Sequence, residues 1–268
     1  MDQKWRDGSA AVALLGMPLA RIDEAGCIAL ILNSLAAGRG GWVITANLDI
    51  LRRFVRDAHF RQLAQGATLS VADGMPLVWA SIVRGARLPA RVAGSDLIRT
   101  LSAAAARQRR RVYLVGGDVG TAEAAAQTLR RQSPGLTVAG TWFPPPGFEH
   151  DPDHLPALRQ ALHRARPDIV YVALGCPKQE QLIDALRGEF PWVWWIGVGI
   201  SFSLLAGRLR RAPRWAQRAG MEWLWRLLQE PRRLAVRYLW HGLPFAAWLL
   251  ASAALARLGD GVGRLRSS

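Results

Sequence analysis

The stretch DIVYVALGCPKQEQLIDAL, residues 168–186, combines an apolar strand with a helix and decides the fold. Its first residues form an almost unbroken apolar run, which is typical of a strand buried on both faces of a parallel sheet. Pro177 suits the first turn of a helix, where its missing N–H has no helical partner to lose. The stretch therefore predicts a β-strand that passes through a short turn into an α-helix.

The same pattern recurs along the chain. Six other short apolar runs predict buried strands, and helix-like stretches follow most of them: AVALLG, WVITAN, ATLSVAD, RVYLVGG, LTVAG and VWWIGVG. Strands that alternate with helices indicate a mainly parallel sheet with helices on both faces. We therefore predict an α/β fold, Rossmann-like, for the larger part of the chain.

The C-terminal part has a different composition. The alternation of strands and helices stops near residues 206–213, and helices alone are expected beyond that point, with Pro231 separating two of them. From residue 205 onward there are twelve arginines, no lysine and three acids, a net charge of +9 out of +15 for the chain. Eight of the twelve tryptophans lie between Trp192 and Trp248. Arginine together with tryptophan is typical of a surface that meets lipid headgroups. We predict an α/β domain over residues 1–206 and a helical, membrane-facing appendage over residues 207–268.

The appendage contains an apolar segment whose relation to a membrane has two interpretations. Nineteen residues between Arg237 and Arg257 carry no formal charge, which is near the lower limit for a membrane span. His241, Gly242 and Pro244 weaken the spanning interpretation. A monotopic or peripheral helix at the interface is favoured over a span.

Polar residues and glycines follow the predicted strands. In open α/β sheets the ligand lies outside the carboxyl ends of the strands. These positions are therefore candidate site residues: Thr45, Asn47, Asp73, Gly116, Gly117 and Gly175.

Five of these six candidates also have a purely structural interpretation. Asp73 is a candidate general base, but Asp-Gly is also common turn chemistry. Thr45 and Asn47 can line a pocket or cap the helix that starts near Asp49. The glycines at positions 116 and 117 can admit a phosphate to a helix N-terminus or only close a tight turn.

Lys178 is one of two lysines in a chain with 33 arginines, and it lies at the predicted N-terminus of a helix. The helix dipole disfavours a cation there, so a bound diphosphate would offset the repulsion. The alternative is a solvated lysine. The DPD stretch at residues 151–153 precedes a helix rather than ending a strand, so Asp153 is interpreted as a helix N-terminal residue and metal binding there is the less favoured alternative. The two cysteines, Cys27 and Cys176, favour a reducing compartment.

Seven pieces of the sequence together resemble one family. They are TANLDIL, ADGMPLVWA, RVAGSDL, VYLVGG, PDIVYVALGCPKQE, WIGVGISFSLLAGRLRRAPRW and GMEWLWRLLQEPRRLAVRYL, in this order over about residues 14–238. The chain resembles the WecG/TagA/CpsF glycosyltransferases, glycosyltransferase family 26. One departure is Ser203, which stands where the family often has an aspartate.

The resemblance implies an inverting, metal-independent hexosyltransferase without a cofactor, for which a UDP-sugar is the donor substrate. The acceptor would be a polyprenyl-diphosphate-linked sugar, and the hexosyl group glucose, N-acetylmannosamine or its uronic acid. The enzyme would work at the cytoplasmic face of the bacterial inner membrane, in exopolysaccharide or cell-surface polysaccharide biosynthesis.

The resemblance also implies roles for individual residues. Asp73 would be the catalytic base, with Thr45 and Arg91 beside it. A larger group would bind the donor or stabilise its diphosphate: Asn47, Gly116, Gly117, Gly175, Lys178, Gln179, Glu180, Arg226, Arg233 and Arg237. Two other classes of function stay open at this point, a basic nucleic-acid-binding protein and a non-catalytic membrane partner of another transferase.

Overall fold

The computed structural model describes residues 11–144, 154–218 and 220–265. Within these residues the main sheet has six strands, all parallel, in the order β4-β3-β8-β7-β5-β6. The strands of the chain are β1 (Ala11–Leu14), β2 (Met17–Ala20), β3 (Gly41–Ala46), β4 (Leu69–Ala72), β5 (Arg111–Gly116), β6 (Thr137–Trp142), β7 (Ile169–Ala173) and β8 (Trp194–Gly197). The predicted parallel α/β sheet is confirmed.

The first predicted strand does not join that sheet. It forms β1 of an antiparallel hairpin with β2, paired from Ala11 with Ala20 to Leu14 with Met17. Leu15 and Gly16 link the two strands with φ values of 49° and 84°, as a two-residue type I′ hairpin turn requires. A second apolar run, MPLA, follows so closely that local pairing is available before any long-range partner.

The strands of the main sheet bury alternate side chains on opposite faces. Trp42 and Ile44 of β3 enter one hydrophobic core, whereas Val43 enters the other. The tryptophans at positions 194 and 195 of β8 separate in the same way. This alternation is the period-2 geometry of a strand, and it explains the continuous apolar runs, since neither face is left to water.

Two layers of helices cover these faces. One layer consists of α2 (Leu48–Arg56), α3 (Ala58–Gln65), α4 (Met75–Val83), α7 (His154–Ala165), α8 (Lys178–Arg187) and α13 (Leu243–Leu265). The other consists of α1 (Glu24–Ala36), α5 (Gly94–Arg107), α6 (Thr121–Gln132) and α9 (Ser201–Leu205).

Beyond Pro213 the described residues are mostly helical, as the sequence predicts. They form α10 (Arg214–Arg218), α11 (Glu222–Gln229), α12 (Pro231–Ala235), a π-helical segment (Val236–Gly242) and α13. Pro231 begins α12, where a proline is tolerated. The division of the chain at residue 206 stays a prediction.

Helix α13 packs along α4 of the α/β body. Phe245, Leu249 and Ala253, spaced four residues apart, are buried in the same core as α4. Both helices begin at one cavity, and Arg257 of α13 lies beside Gly85, which follows the C-terminal end of α4, so the two helices run in the same direction.

The outer side of this C-terminal segment is apolar and exposed. Trp240 is 77% exposed, and Leu255 and Leu258 are 68% and 67% exposed. By length and composition, Val236–Gly259 is long and apolar enough to cross a membrane. A long apolar helix with one buried stripe and one exposed stripe therefore lies against the body.

Candidate active site

A cavity of about 580 Å³ opens at the carboxyl ends of β3, β4, β7 and β8. This volume is in the range of sites that hold small ligands. The α/β body forms one wall and the appendage the other. Seven of the predicted site residues line it: Thr45, Asn47, Asp73, Arg91, Gly175, Gln179 and Arg237.

Asp73 directly follows β4 and is held in place by the backbone. Its N–H donates to the carbonyl of Ala46 at 2.7 Å, and its carboxylate accepts from the N–H of Gly94, the first residue of α5, at 3.1 Å. The bond to Gly94 reaches 21 residues along the chain. A role confined to the local Asp-Gly turn therefore does not account for this side chain.

The electrostatic surroundings of Asp73 suit a general base. Burial raises the pKa of its carboxyl from 3.8 to about 6, opposed by Arg91 and by the N–H of Gly94, while Glu222 and Asp96 push it upward. Such a group is ionised at neutral pH but holds a proton better than an ordinary aspartate. These are the properties that proton transfer near neutral pH requires.

Thr45 and Asn47 line the cavity from the end of β3. The hydroxyl of Thr45 donates to the carbonyl of Gly197 at 2.9 Å and thereby ties β3 to β8. The side-chain oxygen of Asn47 accepts from the N–H groups of Asp49 and Ile50, both at 3.0 Å, so Asn47 caps α2. The capping interpretation is confirmed for Asn47, which lines the cavity as well.

Gln179 is buried beneath the cavity and fixed at both ends of its amide. Its nitrogen donates to Glu180 at 2.8 Å, and its oxygen accepts from the N–H of Gly199 at 3.3 Å. A Cβ at Gly197 would lie 2.6 Å from the amide nitrogen of Gln179, so the glycine makes room for it. Glu180 is 1% exposed, and burial raises the pKa of its carboxyl. Glu180 thus contacts Gln179 but does not line the cavity itself, and its role in donor binding stays a prediction.

Comparison with known protein families identifies the family of this chain. The model of the Glycosyl transferase WecG/TagA/CpsF family matches residues 12–258. The chain belongs to this family. Two relatives named N-acetylglucosaminyldiphosphoundecaprenol N-acetyl-beta-D-mannosaminyltransferase are each 30% identical to it. The relative from Bacillus subtilis (strain 168) aligns over 194 residues, 72% of this chain and 73% of the relative. The one from Bacillus spizizenii aligns over 199 residues, 74% of this chain and 75% of the relative.

The glycine turn after β5 lies outside the cavity lining in this family member. Gly116 and Gly117 have φ values of 99° and 83°. A Cβ on the first would lie 2.8 Å from the carbonyl of Ala173, and on the second 2.3 Å from the hydroxyl of Thr121. The tight turn alone therefore requires both glycines, and a phosphate contact stays a prediction.

Lys178 is the first residue of α8 and is exposed. It is not among the residues that line the cavity. Neither interpretation of Lys178 is decided by this position, and contact with a diphosphate stays a prediction.

Ser203, the departure from the usual family residue, has a partner in the glycine turn. Its hydroxyl donates to the carboxylate of Asp118 at 3.3 Å. An aspartate at position 203 would bring two carboxylates together here, which like-charge repulsion disfavours.

The three appendage arginines differ in position. Arg237 lines the cavity and pairs with Asp49 at 3.0 Å. Arg226 is not among the lining residues, and its Nε is buried without a hydrogen-bond partner. The side chain of Arg233 lies outside the described part of the structure.

The appendage also contributes site residues that the sequence did not single out. Trp223 and Tyr238 line the cavity and pack edge to face, with ring centroids 6.3 Å apart at 86°. Glu222 lines it as well and binds Arg91 at 2.6 Å. The GMEW motif was visible in the sequence, but only the folding back of the chain brings it over Asp73.

Among the described residues, no group of three or more His, Cys, Asp or Glu side chains is arranged to hold a metal ion. The DPD stretch at residues 151–153 lies outside those residues.

Proposed function

We propose that the protein transfers an N-acetyl-β-D-mannosaminyl group from a UDP-sugar to a polyprenyl-diphosphate-linked N-acetylglucosamine. Two lines of support meet here. The names of both relatives describe transfer of this sugar to this kind of acceptor, and the chain covers most of their length. The observation that carries the proposal is Asp73, a carboxylate with a pKa of about 6 at the floor of the cavity.

The reaction is a single displacement. Asp73 takes the proton from the acceptor hydroxyl, and the oxygen attacks the anomeric carbon on the face opposite the diphosphate. The bond between that carbon and the phosphate oxygen breaks, and its electron pair leaves with UDP. One displacement inverts the anomeric configuration, so an α-linked donor gives a β-linked product.

Cationic groups around the cavity stabilise the charge that develops on the diphosphate. Arg91 and Arg237 line the cavity from opposite walls. Lys178, Gly116 and Gly117 lie at neighbouring strand ends, where backbone N–H groups at helix N-termini favour anions. Fixed charges and dipoles of this kind lower the barrier because they need no rearrangement during the reaction. We infer that no metal ion is required.

The membrane holds the acceptor, and the enzyme binds to the membrane surface. The exposed apolar side of the C-terminal segment and its arginines form the contact, as a monotopic or peripheral attachment. A helix that packs along α4 is better suited to lying at the interface than to leaving the body as a span. We place the enzyme at the cytoplasmic face, where nucleotide sugars are made, in exopolysaccharide or cell-surface polysaccharide biosynthesis.

The test is transfer by the purified full-length protein in vesicles that contain polyprenyl-diphosphate N-acetylglucosamine. UDP-N-acetylmannosamine, its uronic acid and UDP-glucose are compared by UDP release and by mass of the lipid product. We expect UDP-N-acetylmannosamine to give a β-linked disaccharide lipid. This product should also form when EDTA is present, because no metal ion is required. Transfer of only another sugar would overturn the donor assignment. No UDP release with any donor, together with stimulation of a second transferase or tight binding to nucleic acid, would favour the two alternative classes.

The same assay examines Asp73 directly. Asp73→Asn should bind UDP like the wild type but lose transfer by about 10²- to 10⁴-fold, the usual effect of losing a general base. The matched control is Asp118→Asn, which removes an acid from a neighbouring strand-end turn outside the cavity lining and should keep kcat within a few-fold of wild type. Turnover of Asp73→Asn close to the wild-type rate would remove the base from the mechanism.

A further inference from the structure

Four charged side chains join the appendage to the body beside Asp73. Arg91 and Asp96 belong to the body, and Arg211 and Glu222 to the appendage. Arg211 binds both carboxylate oxygens of Asp96, one of them at 2.6 Å, and its Nε lies 3.9 Å from Glu222. Arg91 binds Glu222 at 2.6 Å and Asp96 at a longer 3.4 Å. Each guanidinium thus contacts both acids.

The distances show which acid controls Arg91. Asp96 is already bound by both terminal nitrogens of Arg211, so its contact with Arg91 is the weaker one. The short contact of Arg91 is with Glu222. Both side chains are largely shielded from water, at 17% and 21% exposure, so screening weakens this pair less than it would a surface pair.

Removing Glu222 would leave Arg91 near two described carboxylates that pair with no other guanidinium, Asp73 and Glu24. Asp73 lines the same cavity as Arg91, and Arg91 is the charge that most favours its ionised form, whereas Arg91 is the weakest of the influences on Glu24. An arginine paired with Asp73 would both lower its basicity and compete with the acceptor hydroxyl for its oxygens.

We propose that Glu222 is a positioning residue of the transferase: by binding Arg91, it holds this guanidinium off the Asp73 carboxylate and leaves the carboxylate free to accept the acceptor's proton. The proposal rests on the assignment of Asp73 as the base. It makes the base dependent on a docked appendage, because Glu222 reaches Arg91 only when α11 lies over the cavity. The body alone would hold a weaker, arginine-paired aspartate.

The other charged groups around Asp73 do not reverse this conclusion. Arg211 also favours the ionised form of Asp73, but it is bound to Asp96 and near Glu222. Glu24 of α1 binds Thr100 and interacts with Asp96, Arg211 and, most weakly, Arg91. Asp49 and Arg237, on the other side of the cavity, pair with each other.

The test is the pH dependence of transfer by full-length Glu222→Gln. Loss of the Glu222 charge and release of Arg91 both favour the ionised form of Asp73. The acid limb of kcat/KM, which reports the base in the free enzyme, should therefore move down by about one pH unit. The rate on the alkaline plateau should fall by about tenfold, because a weaker base transfers the proton less readily.

Two further variants separate positioning from structural support. Glu230→Gln removes the same charge next to the C-terminal end of α11 and should leave the acid limb unchanged. Glu222→Asp keeps the charge on a shorter side chain and should return the limb toward the wild-type position. Thermal unfolding of each variant shows whether it is folded at the assay temperature.

A second readout does not require turnover. The ¹³C resonance of the Asp73 carboxyl, assigned by its loss in Asp73→Asn, should titrate about one pH unit lower in Glu222→Gln than in the wild type. If the wild type transferred no sugar, the proposed function would fail while this titration still tested the pairing. An unmoved titration, or a uniform loss of rate with an unmoved acid limb, would show that Glu222 only holds the appendage in place.

Discussion

The two walls of the cavity are built on different principles. On the body wall, the polar side chains have short internal partners: Asp73 binds Gly94, Thr45 binds Gly197, and Gln179 binds Glu180. The appendage wall carries aromatic and basic groups, and its outer side is exposed and apolar. Residues from 205 onward hold +9 of the net +15, which leaves +6 for the first 204 residues.

This difference indicates that the two walls have separate roles, one in the chemical step and one in contact with the acceptor. Groups that take part in bond making need fixed positions, which buried partners on strand ends provide. Groups that meet a lipid-linked acceptor need an apolar and cationic surface, which a packed core could not offer. The two walls are joined by ion pairs: Arg91 and Asp96 of the body pair with Glu222 and Arg211 of the appendage.

The largest expected effect concerns the membrane side of the appendage. The triple variant Trp240→Ser, Leu255→Ser and Leu258→Ser removes exposed apolar groups without touching the buried stripe of α13. Each such group can contribute about 1.5–3 kcal/mol when buried in lipid, so the affinity for vesicles should fall at least 100-fold.

Vesicle flotation measures this loss, and transfer to a short, water-soluble acceptor should stay near wild type. The matched control, Val119→Ser, changes an exposed apolar residue on the body and should not affect flotation. Normal flotation of the triple variant would show that the exposed apolar side of the appendage does not bind the membrane.

The next effect separates Arg237 from the general charge of the appendage. Arg237→Gln removes a cation that lines the cavity, so transfer to long-chain and water-soluble acceptors should fall alike, by about 10- to 100-fold. Arg232→Gln makes the same change of charge at an exposed position of α12 and should weaken vesicle binding slightly without changing kcat. Equal effects of the two substitutions would assign Arg237 to the membrane surface rather than to the site.

A third effect tests whether the body wall trades stability for function. The pKa of Asp73 is about 6 in the folded protein and near 3.8 when the chain is unfolded. Ionisation of Asp73 therefore destabilises the folded state above pH 6, and the penalty fades as pH falls toward 4. At pH 7 Asp73→Asn should raise the free energy of unfolding by up to about 3 kcal/mol.

Urea unfolding at pH 7 and near pH 4 measures this gain, which should nearly vanish at the lower pH. Asp184→Asn makes the same change of charge at an exposed position of α8, outside the cavity, and provides the control. A gain of equal size at both pH values would mean that the substitution acts through packing rather than charge.

The smallest effect concerns Lys178. Because its side chain is exposed and lies outside the cavity lining, Lys178→Ala should weaken UDP binding by about threefold, with little change for uridine. Calorimetry on both ligands measures the difference. A loss of UDP affinity above tenfold would place Lys178 against the diphosphate and extend the site beyond the cavity.

Much of the body could be predicted because its signals are local. The apolar runs that form β3, β4, β5, β7 and β8 predict strands, and polar residues after strands of a parallel sheet meet at one edge. Thr45, Asn47, Asp73, Gly175 and Gln179 therefore come together as expected. The hairpin of β1 and β2 was missed because an apolar run has the same appearance in either kind of sheet.

The sequence by itself determined the parallel α/β class, the family motifs, the candidate base and the basic, tryptophan-rich character of the appendage. Only the tertiary structure decided that Glu222 binds Arg91 across 131 residues of sequence, that Arg237 meets Asp49, and that α13 lies along α4. The physical reason is that periodicity and turn chemistry act between near neighbours along the chain. Contacts between distant segments depend on which faces are left unburied after the sheet and its helices have packed, and no local pattern encodes that choice.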